Sequence, residues 1–322
     1  MLAFKSLSPT TFTTIHPPRA MGNARPIAYG GFALAAAYKA AALTLLTPSE
    51  TQPEYHLYSF TGNYLGPANN NHPLLTSVTT IRQTRTFATR LVQVSQQQDD
   101  GSTRNCLVAL ADFQVAEPAS LLTYSAPPSR TYTHHSNLPD ADTYNKQLVA
   151  SGRVQPKHVE ALNTAFAVLK RLFDTRQCPE GIFAQKLSGI AKHLPTTQDT
   201  LPLTEKSTAD WLRARDPLPN QVENTALLAW MMDGALAFAP LTFSGLFLED
   251  AGPTSSLDFA LRVFTNRVDL ERWHLRELRT AVGAEGRSYT ESRLWDEGGR
   301  CVASMTQQSI LRPKGEKKGG KL

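Results

Sequence analysis

Cysteine is scarce, with three residues in a chain of 322. Cys106, Cys178 and Cys301 are odd in number and widely spaced. That excludes a disulfide framework and disfavours a zinc site, and it points to a reducing compartment. Long apolar runs are missing too. The nearest, Ala33 to Leu46, is interrupted by Tyr38, Lys39 and Thr44, and it falls short of the roughly 18 residues that a membrane span needs. Basic charge is thin outside the C-terminus. The formal net charge is +5, but from Arg312 onward Arg312, Lys314, Lys317, Lys318 and Lys321 face Glu316 alone. The remainder is nearly neutral and no aromatic-basic stripe accompanies it, so nucleic acid is not the partner. Several catalytic signatures are absent. No Gly-x-Ser-x-Gly elbow exists for an α/β-hydrolase nucleophile, and neither His-Glu-x-x-His nor Cys-x-x-Cys occurs. Gly30-Gly31 lacks the spacing of a phosphate loop. No metal or cofactor is expected.

What remains is an ordinary globular balance of 41% apolar and 19% charged residues, enough for two units of about 100–150 residues. The first 20 residues, rich in Ser, Thr and Pro, read as a flexible N-terminus. They lack the apolar core of a secretory signal, and their lack of acids leaves a transit peptide as the alternative. The closing Gly320-Lys321-Leu322 partly matches the Ser-Lys-Leu peroxisomal address, so the expected location is intracellular, either peroxisomal or cytoplasmic.

The same order of segments occurs twice. Gly30-Gly31 opens a buried-helix composition from Phe32 to Leu46. Strand-like stretches follow at Tyr55–Leu65, Leu75–Ile81, and Arg85–Val94 turning through Asp99-Asp100-Gly101 into Asn105–Gln114. Later, Val222 to Ala239 reads as a long apolar helix. Strands follow at Ser256–Phe264 and Trp273–Ala281, then a hairpin of Ser288–Trp295 and Cys301–Leu311. Ile182–His193 and Ser207–Ala214 read as two further strands. A long helix followed by an antiparallel meander implies a sheet wrapped around a helix, which must be apolar nearly all round. Two such units make a pseudo-dimer. The expected division is 1–20 flexible, 21–130 first unit, 131–180 linker with a helix over Gln155–Phe173, 181–312 second unit, and 313–322 basic tail. A homodimer through open strand edges is a further expectation.

Three polar residues do not suit their elements. Asp233 lies between Met232 and Gly234 in the most apolar helix of the chain. A buried carboxylate needs partners, and burial raises its pKa toward working pH. It could equally be a helix residue that reaches solvent. Gln307 and Gln308 are neighbours in one strand, so one must face inward. Ser256, at a strand start, is commonplace turn chemistry taken alone.

Four stretches in order carry a family resemblance: Ala28-Tyr29-Gly30-Gly31; Trp211-Leu212-Arg213-Ala214-Arg215-Asp216-Pro217-Leu218-Pro219; Ser256-Leu257-Asp258 with Phe264 and Trp273; and Ala303-Ser304-Met305-Thr306-Gln307-Gln308 with Arg312. Over residues 20–315 the chain resembles the type II acyl-CoA thioesterases. The resemblance implies an α+β double hotdog, two antiparallel sheets each wrapped around a long helix. It implies hydrolysis of an acyl-CoA or related acyl thioester, with coenzyme A only as part of the substrate. The implied catalytic residues are Asp233, Ser256 and Gln307 around an attacking water. A backbone N–H near Gly30 and Gly31 is implied as the oxyanion donor. The sequence departs from the family pattern at Phe32, Phe259, Thr265, Gln308 and Ser309. A divergent hotdog enzyme of a specialised, polyketide-like pathway and a non-catalytic thioester-binding protein are therefore the alternatives.

Overall fold

The computed structural model describes residues 2–22, 27–46 and 53–315. The Gly320-Lys321-Leu322 signal lies outside them. The first half contains β1 (Phe4–Ser8), β2 (Thr11–Thr14), α1 (Gly31–Leu43), β3 (Tyr55–Tyr64), β4 (Leu75–Gln83), β5 (Phe87–Gln97) and β6 (Thr103–Val115). The connection carries α2 (Ala141–Ala150), α3 (Pro156–Ala165) and α4 (Ala167–Leu172). The second half contains β7 (Phe173–Gln177), α5 (Ile182–Lys186), β8 (Ser207–Ala214), α6 (Gln221–Met232), α7 (Ala239–Phe243), β9 (Ala251–Ser256), β10 (Asp258–Val263), β11 (His274–Ala284), β12 (Arg287–Asp296) and β13 (Cys301–Pro313).

These strands form one antiparallel sheet in the order β1-β2-β4-β5-β6-β3-β10-β13-β12-β11-β8-β7, with β9 also paired to β13. The halves join at β3 and β10, where Phe60 faces Leu261 and Gly62 faces Phe259. Each half thereby covers an edge that would otherwise be open. Both long helices lie within the curve of the sheet. Every residue of α1 from Gly31 to Ala42 is buried, as is α6 from Asn224 to Met232. The largely apolar compositions of both segments follow from that enclosure. Gly31 lies against Trp230, and Lys39 pairs with Glu223. The two helices therefore run antiparallel, and the start of α1 meets the end of α6. This is the expected α+β double hotdog.

Four expectations need correction. The N-terminus is not flexible over 4–14. Leu2 and Phe12 are buried, Phe4 stacks on Phe12, and Lys39 Nζ donates to the Leu2 carbonyl at 2.6 Å. The Ser/Thr composition hid a hairpin in which threonine serves as a strand former. Ile182–His193 is not a strand but α5 followed by a tight turn, with Leu187 and Ser188 at positive φ. Short apolar stretches such as Ile182–Ala184 do not separate a buried strand from a buried helix. Here Thr208 Oγ1 accepts the Phe183 N–H at 3.0 Å, satisfying a first-turn donor of α5 that has no intrahelical partner. The helix expected to reach Ala239 stops at Met232, and Ala235 takes φ 73°. The Gln155–Phe173 helix breaks at Phe166 into α3 and α4.

The convex face carries a second, smaller cluster of Trp211, Trp273, Leu275, Tyr132 and Leu138. The Pro-rich segment after β6 crosses this face. Trp295 Nε1 donates to the Ala126 carbonyl at 2.8 Å, and Tyr132 donates to Glu277 at 2.7 Å.

Candidate active site

Asp233 sits at the C-terminal cap of α6 rather than inside it, and it is 5% exposed. Asn220 starts this helix by accepting the Glu223 N–H at 3.0 Å, and its apolar length carries the chain through the core to the far end. A carboxylate at a helix C-terminus meets the negative end of the dipole. The start of α1 compensates. Gly31 directs its backbone N–H at the Asp233 carboxyl. The two glycines permit this approach. A Cβ on Gly30 would lie 3.1 Å from Asp233 Oδ2 and 3.0 Å from the Tyr64 hydroxyl. One on Gly31 would lie 2.4 Å from the Tyr29 ring and 2.6 Å from the Trp230 carbonyl. No side chain fits at Gly31 without separating the helices.

Adjacent strand residues face opposite ways, and the two glutamines do so. Gln307 is fully buried, whereas Gln308 is exposed and bonds Asp258 through its backbone N–H at 2.8 Å. Gln307 Nε2 donates to Asp233 Oδ1. Ser256 Oγ donates to Gln307 Oε1 at 3.0 Å. Ser256 ends β9 opposite Ser309 of β13, and the chain then shifts at Leu257 before β10 begins. The single expected strand over Ser256–Phe264 is thus two, with the half-buried serine at the break. Asp233, Gln307 and Ser256 form one continuous hydrogen-bonded line.

The sequence reading missed Tyr64. This residue ends β3 in the first half, and its hydroxyl donates to Asp233 Oδ1 at 2.8 Å. The period-two alternation Phe60, Gly62, Tyr64 was the available signal, since Phe60 faces the core. Tyr29 stands nearby, donating to the Trp230 carbonyl at 2.7 Å. Phe259, at the position where the family pattern carries histidine, is buried against Phe60 and Tyr64 at ring distances of 4.9 and 5.9 Å. The wall beside the carboxyl is therefore aromatic and offers no second base.

Burial raises the Asp233 pKa above the ordinary carboxyl value, while the bonds from Tyr64 and Gln307 pull it back. Burial, reinforced by the neighbouring carboxylate, pushes the Tyr64 hydroxyl well up, so it remains a donor. Replacing Tyr64 with Phe removes one bond to the charged form. Hydrogen bonds to charged groups contribute about 1.5–3 kcal/mol, and each 1.4 kcal/mol is about tenfold in rate. Tyr64→Phe is expected to lower activity about tenfold or more and to move the acid limb of its pH profile upward. An unmoved limb would remove Tyr64 from the site's electrostatics.

Among the described residues, His134, His135 and Glu297 bring possible metal ligands within 4.8 Å of one another. They lie on the convex face, where His135 stacks on Trp273 and bonds Glu297 at 2.6 Å. Nothing connects them to Asp233.

Two family models match the chain in order: the acyl-CoA thioesterase N-terminal domain over residues 17–114, and the acyl-CoA thioesterase C-terminal domain over 173–311. Acyl-CoA thioesterase 2 of Haemophilus influenzae is 23% identical over 263 residues, spanning 80% of this chain and 79% of that protein. Among solved structures, the tesB protein of Mycobacterium avium subsp. paratuberculosis superposes with a TM-score of 0.66 at 17% identity, covering 96% of both chains. The acyl-CoA thioesterase II TesB2 of Mycobacterium marinum gives 0.65 at 19%, covering 100% of this chain and 98% of that one. A hot dog fold protein of Alicyclobacillus acidocaldarius gives 0.65 at 18%, covering 97% of both. Matched by both domain models across most of its length, the chain belongs to the acyl-CoA thioesterase family.

Proposed function

We infer that this chain is a thioester hydrolase that cleaves an acyl-CoA, or a related acyl thioester, by direct attack of water. The observation that carries the residue assignment is the hydrogen-bonded line from half-buried Ser256 through Gln307 to buried Asp233, beside the start of α1. Ser256 and Gln307 position a water beside Asp233, a gain in orientation rather than in chemistry. Asp233 accepts a proton as the water oxygen bonds to the thioester carbonyl carbon. A backbone N–H at the start of α1, from Gly30 or Gly31, is assigned to the resulting oxyanion. Collapse of the tetrahedral species breaks the C–S bond. The proton passes from Asp233 to the departing thiolate, leaving a free acid and a thiol. No acyl-enzyme forms and no cofactor takes part.

The test is thiol release from purified protein over a panel of acyl-CoAs from two to sixteen carbons. Release from at least one chain length, with stoichiometric free acid, is the expected result. A folded protein that releases thiol from none of them would sink the acyl-CoA hydrolase reading and leave a specialised thioester substrate or a thioester-binding role. Peroxisomal import through Gly320-Lys321-Leu322 is a separate proposal. Loss of import on deleting these three residues from a fluorescent fusion would support it, and unchanged import would sink it.

A further inference from the structure

The linker is tied to the convex face of the second unit on either side of a histidine pair. Trp211 Nε1 donates to the Thr133 carbonyl at 3.0 Å, and Arg176 donates to the carbonyls of His135 and Leu138 at 2.6 and 2.8 Å. These bonds fix the backbone that carries His134 and His135, whose rings lie 4.2 Å apart. His135 stacks on Trp273 at 4.9 Å, and His134 sits 5.1 Å from Trp211. Glu297, in the turn between β12 and β13, reaches back to His135 Nε2 at 2.6 Å. Three metal-ligand side chains thus converge from two distant parts of the chain, with their ligand atoms within 4.8 Å of one another.

Two imidazoles and one carboxylate suit zinc, copper or nickel, whereas calcium and magnesium require a shell of oxygens. Charge alone does not select the ion. The guanidiniums of Arg176 and Arg213 lie over Trp273 at 5.1 and 4.9 Å and offset Glu297, so the imidazole nitrogens make the choice. His134 Nδ1 lies 2.9 Å from the Ser136 hydroxyl and 3.3 Å from its backbone N–H, which leaves Nε2 to ligate. An ion on Nε2 selects the tautomer protonated at Nδ1, which donates to that hydroxyl. Tetrahedral bonds of about 2.0–2.1 Å place neighbouring ligand atoms about 3.3 Å apart, so His135 and Glu297 must separate by about 0.7 Å as the ion replaces the proton between them. The Glu297 side chain is 40% exposed and is followed by Gly298 and Gly299, so the turn can make that shift.

We propose that His134, His135 and Glu297 bind one transition-metal ion of the zinc, copper or nickel type, which clamps the linker to the β12–β13 turn and leaves a fourth position to water. The site takes no part in thioester chemistry and does not depend on the hydrolase reading. The ion cross-links residues 162 apart in sequence, so its binding free energy is added to the folded state of the second unit. No spaced motif announces it, because two ligands are sequence neighbours and the third comes from the far end of the chain.

The experiment uses the full chain without a histidine tag, stripped with a chelator and then titrated with Cu²⁺ or Zn²⁺ alone. Cu²⁺ quenching of tryptophan fluorescence reads occupancy, because Trp211 and Trp273 touch the two imidazoles and are two of the four tryptophans. Quenching is expected to saturate at about one equivalent. His134→Ala and Glu297→Gln change solvent-exposed residues and leave the fold intact, and each is expected to weaken the apparent Kd about tenfold or more. His72→Ala, which removes an imidazole paired with Asp99 on the first unit, should leave it within about twofold. Zn²⁺ at about a hundredfold excess over its Kd should raise the melting temperature by about 4 °C, reversibly with chelator, and the rise should be lost in both site variants. Quenching that fails to saturate, or that survives both substitutions, would overturn the site. Saturable quenching with no rise in melting temperature would overturn the clamp.

Discussion

Asp233→Asn is expected to lower kcat/KM for thioester hydrolysis by about 10²–10⁴-fold, the usual contribution of a positioned general base. The amide keeps the size of the carboxyl and one oxygen for Tyr64 and Gln307, so the hydrogen-bonded line can persist. It cannot take a proton from water. Thiol release under steady-state conditions measures the loss, and a variant within about threefold of wild type would exclude Asp233 as the base. The wild-type pH profile has a matching expectation. Asp233 must be ionised to act, and burial holds its pKa above the ordinary carboxyl value. Activity should therefore fall as pH drops through that raised value, while most exposed carboxylates are still charged.

The same substitution has the opposite effect on stability. A carboxyl with a raised folded-state pKa binds its proton more tightly in the folded protein than in the unfolded chain. Between the unfolded and folded pKa values the folded state holds more protons, so stability falls as pH rises through that window. Above it, the folded protein carries the full cost of the buried charge. Asp233→Asn removes that cost, so at neutral pH the inactive variant should melt higher than the wild type. Below the ordinary carboxyl range the difference should vanish. Such a trade of stability for activity is expected where a site keeps an unfavourable charge for its chemistry.

How far the sequence reached follows from the same physics. The two enclosed helices were legible because a sheet that surrounds a helix demands apolar residues on every side, and α1 supplies Phe32 through Ala42 with almost no polar interruption. Gln307 was legible because two polar neighbours in one strand must divide between the faces. The end of α6 was not. Ala235 adopts a positive φ that no composition signals, and it converts Asp233 from a helix residue into a cap. Tyr64 was missed for a different reason. Its role depends on β3 joining β10 across the halves, a pairing separated by about 200 residues in sequence. The departure at Phe259 becomes intelligible beside it, because the aromatic wall there supports the Tyr64 ring whose hydroxyl reaches Asp233. The N-terminal hairpin was hidden because threonine and serine read as loop until a neighbouring strand, β4, pairs with them.

The second large effect is structural and lies one turn from the same site. Arg276 and Asp210 form an ion pair with side chains 5% and 9% exposed, held by two nearly parallel bonds. Arg276 also caps the α6 carbonyl of Met231, immediately before the turn that presents Asp233. Replacing Arg276 with Met leaves the Asp210 carboxylate buried without its counter-charge, which costs about 3–5 kcal/mol. At about 1.5 °C per kcal/mol for a chain of this size, the melting temperature should drop by about 4–8 °C. Replacing both partners, Arg276→Met with Asp210→Leu, removes the stranded charge and should recover most of that loss, because a buried pair gives little net stability over apolar groups of similar volume. Recovery of stability without recovery of rate is the outcome that separates the two roles. The double variant packs, yet it lacks the guanidinium that fixes the end of α6, so its thiol release should stay depressed. A double variant as unstable as Arg276→Met would instead place the cost in the lost Met231 carbonyl bond, and one restored in both respects would make the pair dispensable to the site.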